Sequence, residues 1–482
     1  MMTTTALTEF ERAECRNFLE GLTNSAKSED DDSASFPHDN QFESLCFCVT
    51  DEEIPGELTD IINRFLHYRK CPDILIGPLI SYVLNKFQDT DLTQFKLERK
   101  DDESTEYNAS SLSKHLYQVF LKSCLDFISN FDSMTIQKNP QSFHVSLQAV
   151  RNRRRRMEDR HVYYTDLNSL LNLDEAQTGQ ALFAVFDGHG GIDAANYAAS
   201  HLLTHLKACP NLITQPGEAL HKAILKTDEE FIKKGKREKL RSGATAVVVL
   251  IQGLNLTVAW LGDSQVVLCK AGDAVQLMDP HKPNRPDERA RIESLGGCVV
   301  NFGGWRVNGI LAVARSIGDS EQKPYVTGEP DVEEYEMEGD EEFVILACDG
   351  LWDTVEPFDA VQLVRKCMEE GTRDSAAGKL VDLAIKQRSM DNISILVVYF
   401  DFNGPVVFSA DNTTNSEEMS EANNEDEKGD IKENHQNEDL NVKGQVSDER
   451  EETQEKANDE KPAAHTEGTV ATEGTISSKE NT

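Results

Sequence analysis

Two apolar runs lead directly into an aspartate, and this pattern most strongly limits what the chain can fold into. Residues 182–186 (Leu-Phe-Ala-Val-Phe) precede Asp187, and residues 343–348 (Phe-Val-Ile-Leu-Ala-Cys) precede Asp349. Runs of this length and composition predict buried strands. A carboxylate at a strand end usually belongs in a solvated turn, so two acids placed at the ends of buried strands are hard to explain by folding alone.

Two further acidic motifs, Glu158-Asp159 and Asp391-Asn392, indicate that these carboxylates form a metal site. A hard divalent cation such as Mg²⁺ or Mn²⁺ takes oxygen ligands, and two ions about 3.5–4 Å apart need a bridging carboxylate. Asp187 is the natural bridge, because Gly188 leaves room for a backbone carbonyl to turn towards a metal. His-rich or Cys-rich ligand sets are absent, which argues against zinc, while Mg²⁺ and Mn²⁺ both stay open.

The composition excludes several classes of partner. A net charge of −36 disfavours nucleic acid and acidic membrane surfaces. Ten dispersed cysteines without a CxxC pair indicate a reducing compartment, and the N-terminus lacks the features of a secretory signal. We therefore expect a cytoplasmic or partly nuclear protein. The uncharged stretch 242–262 is long enough to span a bilayer, but the break at Gln252-Gly253 favours two buried strands joined by a turn.

Changes in composition and hydrophobic periodicity divide the chain into four regions. Residues 1–53 are acidic and partly Ser-rich, and residues 403–482 form an acidic tail; we expect both to be disordered, because residues 411–482 hold 21 acids, 7 bases and no aromatic residue. Residues 54–135 show helical spacing and predict a small helical unit. That unit either packs on the main domain or docks a partner. In residues 142–402, β-type runs alternate with helical patterns, which predicts one larger domain.

The periodicity of residues 142–402 indicates an α+β fold. Apolar β-type runs predict strands near 143–150, 182–186, 244–251, 256–260, 264–269, 343–348 and 393–400. Helical patterns occupy 192–207, 218–234, 287–295, 358–370 and 375–388. Strands in hairpin order with helices in pairs predict an α-β-β-α sandwich, in which two antiparallel sheets are flanked by helices, preceded by the small helical unit.

The residues beside the acids point to phosphate chemistry. Hydrolysis of a phosphate ester at a metal site also needs a cation for the phosphoryl oxygens and an acid for the leaving oxygen. The run Arg153–Arg156 supplies the first, and His189 supplies the second. Cys348 is not followed by a Cys-x5-Arg loop, so a cysteine-based mechanism is disfavoured and this thiol is expected in the core.

At these residues the chain closely resembles the metal-dependent (PPM, type 2C) protein serine/threonine phosphatases. The resemblance covers residues 142–402 and runs in the family's order. The matching stretches are 154–159 (Arg-Arg-Arg-Met-Glu-Asp), 183–191 (Phe-Ala-Val-Phe-Asp-Gly-His-Gly-Gly), 242–246, 261–264 (Leu-Gly-Asp-Ser), 281–283 (His-Lys-Pro), 306–319, 348–353 (Cys-Asp-Gly-Leu-Trp-Asp) and 391–394 (Asp-Asn-Ile-Ser).

The resemblance implies a role for each acid. It places Asp187 between two Mg²⁺ or Mn²⁺ ions, Glu158 and the Gly188 carbonyl on one ion, and Asp349 and Asp391 on the other. Asp159 would hold metal-bound water. A weaker third ion would lie with Asp349 at the remaining two acids, Asp263 and Asp353, although Asp263 is also consistent with the start of a turn.

The resemblance also implies how substrate is held. Arg154 matches the phosphate-binding arginine, His189 the general acid, and Arg306 a position near the cleft that helps to bind phosphoprotein. The remaining arginines of the run are solvated, paired with acids, or part of a docking patch.

The preceding helical unit and acidic extensions look like the branch of calcium/calmodulin-dependent-kinase phosphatases and POPX proteins. For that branch the expected substrates are phosphorylation-activated kinases, including calmodulin-dependent and p21-activated kinases, with a PIX-type exchange factor as a partner. Two alternatives stay open at this point. One is a non-enzymatic scaffold, and the other is the same fold acting on a different phosphorylated substrate.

Overall fold

The computed structural model describes residues 7–27, 42–98, 105–133, 136, 139, 141–173 and 178–401. The part before residue 142 contains α1 (Glu9–Lys27), β1 (Cys48–Thr50), α2 (Ile54–Tyr68), α3 (Asp73–Phe87), a 3₁₀ turn (Leu92–Phe95), β2 (Glu106–Asn108) and α4 (Ala109–Asn130). The helices after it are α5 (Leu167–Leu171), α6 (Asp193–Lys207), α7 (Pro216–Glu238), α8 (Pro286–Ser294), α9 (Asp349–Trp352), α10 (Pro357–Glu369), a 3₁₀ turn (Arg373–Ser375) and α11 (Ala376–Lys386).

The strands of this second part are mostly short and apolar. They are β3 (Ser142–Val150), β4 (Arg160–Tyr164), β5 (Gln180–Phe186), β6 (Gly188–His189), β7 (Gly243–Ala244), β8 (Ala246–Gln252), β9 (Asn255–Leu261), β10 (Gln265–Lys270), β11 (Asp273–Gln276), β12 (Val299–Asn301), β13 (Trp305–Val307), β14 (Ile317–Gly318), β15 (Asp331–Glu336), β16 (Glu341–Ala347) and β17 (Ile393–Asp401).

Two five-stranded sheets form the centre of the described fold. The first has the order β11-β10-β16-β17-β3 and the second the order β15-β9-β8-β5-β4. Every pairing within them is antiparallel. The predicted pair of antiparallel sheets is therefore confirmed.

Both faces of the central strands are buried, which explains their nearly continuous apolar sequences. In β5, Ala181, Phe183 and Val185 face the core between the sheets, whereas Leu182 and Phe186 face the core under the helices. Side chains alternate across a strand, so a strand covered on both sides needs apolar residues at every position.

Helices cover the two outer faces of this sandwich. α10 and α11 pack on the first sheet, with a core that includes Val364, Leu380 and Val397. α6 and α7 pack on the second sheet in a core that includes Leu202, Ile224 and Leu250. The layers therefore follow the predicted α-β-β-α order.

The helical part before residue 142 shares a continuous apolar core with α6 and α7. α2 lies against α6, where a Cβ on Gly56 would be 2.3 Å from His201 Nδ1 and 2.7 Å from the Ser200 carbonyl oxygen. Only glycine permits this approach. The structure therefore shows the helical unit packed on the main domain, and docking of a partner by this unit stays a prediction.

Residues 9–27 differ from the disorder expected for residues 1–53. They form α1, whose Cys15 and Leu19 are fully buried and whose Leu22 is nearly so. This spacing of four and three residues puts the apolar side chains on one face, which packs on α4. Residues 28–41 and the tail, 403–482, lie outside the described residues.

The uncharged stretch 242–262 forms strands, as predicted. β8 and β9 pair from Ala246–Leu261 to Gln252–Asn255, and Gly253 takes the positive φ of 63° that the turn between them needs. Within the described ranges, no helix has the length and apolar character needed to cross a membrane.

Candidate functional site

The strand registers bring the predicted acids to one end of the sandwich. Arg160 pairs with Phe186, so the neighbouring Asp159 and Asp187 leave the second sheet together. In the first sheet, Ala347 pairs with both Gln265 and Ile395, which places the acids just beyond these strand ends near one another. These acids are Asp263, Asp349 and Asp391.

Four aspartates form what we call the acidic cluster: Asp159, Asp187, Asp263 and Asp349. One oxygen from each of Asp187, Asp263 and Asp349 lies within 4.8 Å of the others, and Asp159, Asp187 and the Cys348 sulfur form a second group within the same distance. Asp159 and Asp263 are buried, while Asp187 and Asp349 are partly buried. Like charges at this separation repel strongly where water is scarce.

The pKa values of the acidic cluster express this repulsion. Withdrawal from water raises the pKa of Asp187 well above its usual value, and the charges of Asp349 and Asp159 raise it further. Burial also raises the pKa of Asp349, and the charges of Asp263 and Asp391 raise it further. Burial also raises the pKa of Asp159 and of Asp263, each to about 6. A divalent cation would relieve all four shifts, because it stabilises the ionised forms.

The backbone around Gly188 is shaped for close approach. A Cβ on Gly188 would lie 2.2 Å from the Glu158 carbonyl oxygen, so only glycine fits here. Asn392 holds Glu158 in turn, because its Oδ1 accepts a hydrogen bond from the Glu158 amide at 2.8 Å. Both oxygens of Asp159 are buried and accept no hydrogen bond of normal geometry from a described residue. Such oxygens are available to a water or an ion.

Three other predicted acids lie outside these 4.8 Å groups. The Asp391 carboxylate contacts the Arg154 guanidinium. Asp353 is exposed and pairs with Lys282, whose Nζ lies 3.1 Å from its Oδ1. Glu158 is held through its backbone amide, which donates to Asn392 Oδ1.

Arg154 lies at the mouth of the site. Its side chain is 59% exposed even though it contacts Asp391. Asp391 raises the pKa of this guanidinium against the opposing effect of partial burial, so Arg154 stays charged. An exposed arginine beside the acids is well placed to meet the oxygens of an incoming phosphate.

His189 is fixed by a carboxylate that sequence reasoning did not single out. Its Nε2 lies 2.7 Å from Asp319 Oδ2, which also accepts a hydrogen bond from Ser316 Oγ at 2.5 Å. Burial alone would lower the pKa of His189, but the hydrogen bond and charge of Asp319 outweigh it and raise the pKa. Gly243 makes room for this pair, since a Cβ there would be 2.0 Å from Asp319 Oδ2.

Cys348 lies in the core, as the sequence predicts, whereas Arg306 lies away from the acidic cluster. Cys348 is fully buried and its pKa is raised well above the usual value, so it is a core residue rather than a nucleophile. Arg306 lies on β13, and its Nη1 donates to the Ile310 carbonyl at 2.6 Å. The structure shows no contact of Arg306 with the acidic cluster among the described residues.

Comparisons with known proteins agree with this fold and identify the family. Residues 143–393 match the family Protein phosphatase 2C. Human Protein phosphatase 1E is 43% identical over 394 residues, 80% of this chain and 51% of that protein. Human Protein phosphatase 1F is 41% identical over 366 residues, 73% of this chain and 80% of that protein. The chain thus spans about half the length of its Protein phosphatase 1E relatives.

A solved structure, that of a C. elegans sex determining protein, shows the same fold. It superposes with a TM-score of 0.62 at 23% identity, covering 82% of this chain and 95% of the other. With its ordered motifs, its two sheets and the acids gathered at their ends, the chain belongs to the protein phosphatase 2C family, which is metal-dependent.

Proposed function

We propose that the protein is a serine/threonine phosphatase that hydrolyses phosphoserine and phosphothreonine in proteins with a water activated at two Mg²⁺ or Mn²⁺ ions. The observation that carries this proposal is the acidic cluster, in which carboxylates from both sheets meet and raise one another's pKa values. A cluster of this kind is unfavourable in a folded protein unless cations balance it.

The residues present suit such ions. Carboxylate oxygens are the ligands that hard divalent cations prefer, and Asp187 lies close to members of both 4.8 Å groups, as a bridging ligand must. Asp349, Asp391, Glu158 and the Gly188 carbonyl would complete the pair, and a weaker third ion would use Asp263 and Asp353 with Asp349. When bound, the ions lower the pKa of a coordinated water and offset the charge of the phosphoryl oxygens.

The side chains around the cluster supply the remaining steps. Arg154 binds and orients the phosphoryl group from the exposed side of the site, beside Asp391. Asp319 holds Nε2 of His189, which leaves Nδ1 to donate a proton to the departing serine or threonine oxygen. Asp159 accepts hydrogen bonds from the attacking water and orients it.

The substrate class and location follow from the branch that the sequence resembles. We propose protein kinases activated by phosphorylation as substrates, with calmodulin-dependent and p21-activated kinases as first candidates and a PIX-type exchange factor as a partner. The proposed location is the cytoplasm and, in part, the nucleus. Retention of phosphoproteins by an Asp349→Ala variant, followed by their identification, tests the substrate class. Retention of proteins other than kinases would contradict it.

Phosphate release from a phosphothreonine peptide tests the activity itself. Release should stop in EDTA and return when excess Mn²⁺ or Mg²⁺ is added. Release that persists in the chelator would overturn the metal-dependent mechanism. A folded protein without release in either metal would favour the scaffold alternative.

A further inference from the structure

The loop before Glu158 carries positive charge that the proposed mechanism leaves unused. Five of the six residues 151–156 are arginines, in a chain whose net charge is −36. Arg154 contacts Asp391, whereas Arg153, Arg155 and Arg156 are exposed and form no ion pair with a described residue. We call these three residues the arginine triplet.

The main chain of this loop is fixed rather than loosely attached. The Asn392 side-chain amide donates to the carbonyl oxygens of Arg151 and Arg156, each at 3.0 Å, and thereby joins the two ends of the loop. Asn152 Nδ2 donates to the Ser389 carbonyl at 2.8 Å. The segment that bears Asp391 therefore also holds the loop that bears the arginines.

This construction gives the charges a defined place relative to the site. Asn392 Oδ1 accepts from the amide of Glu158, so one side chain connects the loop to a predicted metal ligand. The triplet flanks Arg154, which contacts Asp391 at the site mouth. Exposed like charges on a fixed loop repel one another, and an anion held between them removes that repulsion.

Guanidinium groups suit one class of anion in particular. Their planar donors match the two oxygens of a carboxylate or a phosphate. A chain with a net charge of −36 disfavours the approach of acidic segments in general, so a basic site at the mouth selects where such a segment can bind. The partner that fits is a stretch of substrate next to the residue being dephosphorylated.

We propose that the arginine triplet is a subsite for acidic or phosphorylated side chains that flank the scissile phosphoserine or phosphothreonine. This inference rests on the proposed phosphatase activity and concerns the substrates that the same site prefers. Arg154 holds the scissile phosphate, and the triplet holds the neighbouring anions.

Three phosphothreonine peptides that differ only in their flanking residues, glutamate, glutamine or lysine, test this subsite. For the wild-type chain, residues 1–482, with Mn²⁺, kcat/KM should be highest for the glutamate peptide, by about tenfold over the glutamine peptide, as three exposed charge contacts allow. The preference for the glutamate peptide should come mainly from a lower KM, and it should become smaller as the salt concentration increases.

The triple variant Arg153→Gln, Arg155→Gln and Arg156→Gln should lose this preference. Its kcat/KM for the glutamate peptide should fall to within about twofold of that for the glutamine peptide. Hydrolysis of p-nitrophenyl phosphate should stay unchanged and shows that the variant is folded. The corresponding triple lysine variant keeps the charge and should keep most of the preference.

A matched control removes three exposed lysines elsewhere, with Lys114→Gln and Lys122→Gln on α4 and Lys236→Gln on α7. It should retain the preference for glutamate, because the net charge changes equally but the subsite does not. Loss of the preference in this control would overturn a local subsite.

Two other outcomes would also overturn the proposal. In one, the glutamine triple variant keeps the preference for the glutamate peptide. In the other, it becomes faster on all three peptides, which would show that the triplet instead binds the chain's own acidic tail, residues 411–482. Absence of activity in the wild type on every peptide would contradict the proposed function and not this inference.

Discussion

Two aspartates that are almost equally buried have opposite pKa shifts in this protein. Asp60 and Asp159 are 1% and 3% exposed. Burial would raise the pKa of both, but the charges of Arg160 and Arg64 outweigh it at Asp60 and lower its pKa. At Asp159 burial is reinforced by Asp391, and the pKa rises to about 6.

The difference between these pKa shifts follows from the opposite directions of two consecutive side chains, Asp159 and Arg160. Arg160 adjoins Asp159 in sequence, but consecutive side chains at a strand point to opposite faces. Arg160 therefore turns away from the acidic cluster and pairs with Asp60 of α2, at 3.0 Å, while Arg64 pairs with the other oxygen at 2.7 Å. We call Asp60, Arg64 and Arg160 the paired cluster. Its carboxylate is paired with two arginines of the same chain, whereas the carboxylates of the acidic cluster raise one another's pKa values and suit cations from outside.

Replacing Asp187 with asparagine should have the largest effect on activity, but it should not destabilise the metal-free fold. Loss of the bridging charge should lower kcat on a phosphopeptide on the order of 10³-fold. In EDTA, the variant should unfold at the same temperature as wild type or higher, because one of the repelling charges is gone. Full turnover, or marked destabilisation in EDTA, would contradict the assignment of Asp187 to an unbalanced site.

Replacing Asp60 with asparagine should instead lower the stability of the fold. It leaves two arginines without their buried partner, and we expect a loss of about 3 kcal/mol in the free energy of unfolding. Denaturant unfolding in the presence of Mn²⁺ measures the loss. Asp89→Asn, which changes an exposed acid on the same helical unit, is the matched control and should change little. An unchanged midpoint for the Asp60 variant would remove the contrast between the clusters.

The pair of His189 and Asp319 lies between these extremes, since one acid faces one base. His189→Ala should slow hydrolysis of a phosphothreonine peptide about a hundredfold by removing the proton donor. Hydrolysis of p-nitrophenyl phosphate should slow far less, because nitrophenolate leaves without a proton. Asp319→Asn should produce the same selectivity with a smaller loss. Equal losses on both substrates would count against the acid role.

Two acids of the site could be predicted from periodicity because each directly follows a recognisable strand. Asp187 and Asp349 follow apolar runs, and the run itself carries the signal. Asn392 and Asp319 gave no such signal for their roles. Asn392 and Glu158 are hydrogen-bonded although they are 234 residues apart in the sequence, and Asp319 and His189 are 130 residues apart. Only the registers of both sheets bring these partners together, and single-sequence periodicity does not specify them.

The elements missed by sequence reasoning are those with mixed polarity. β15 (Asp-Val-Glu-Glu-Tyr-Glu) is an edge strand in which Glu333, Glu334 and Glu336 are exposed, so no apolar run marks it. α1 carries only a narrow apolar face among acids. The central strands and the long helices were predictable because they are buried over most of their length.

The smallest effect, a change in stability with pH, tests the two clusters in a single measurement. In EDTA, Asp159 and Asp263 have pKa values raised to about 6, against about 3.9 when unfolded, so their contribution is present below about pH 4 and is lost as pH rises to 6. The buried His67 and His161, with pKa values lowered to about 4, oppose this, because their contribution is lost as pH falls from about 6.5.

Saturating Mn²⁺ should cancel the loss from the acids and leave the loss from the histidines. The increase in unfolding temperature on adding Mn²⁺ should therefore grow by several degrees between pH 4.5 and 6.5. The paired cluster cannot produce this difference: because the pKa of Asp60 is lowered, its contribution to stability is fully present above about pH 4 and is lost only at lower pH. Asp159→Asn should reduce the growth, whereas an increase of equal size at both pH values would show that the acidic cluster is balanced without metal.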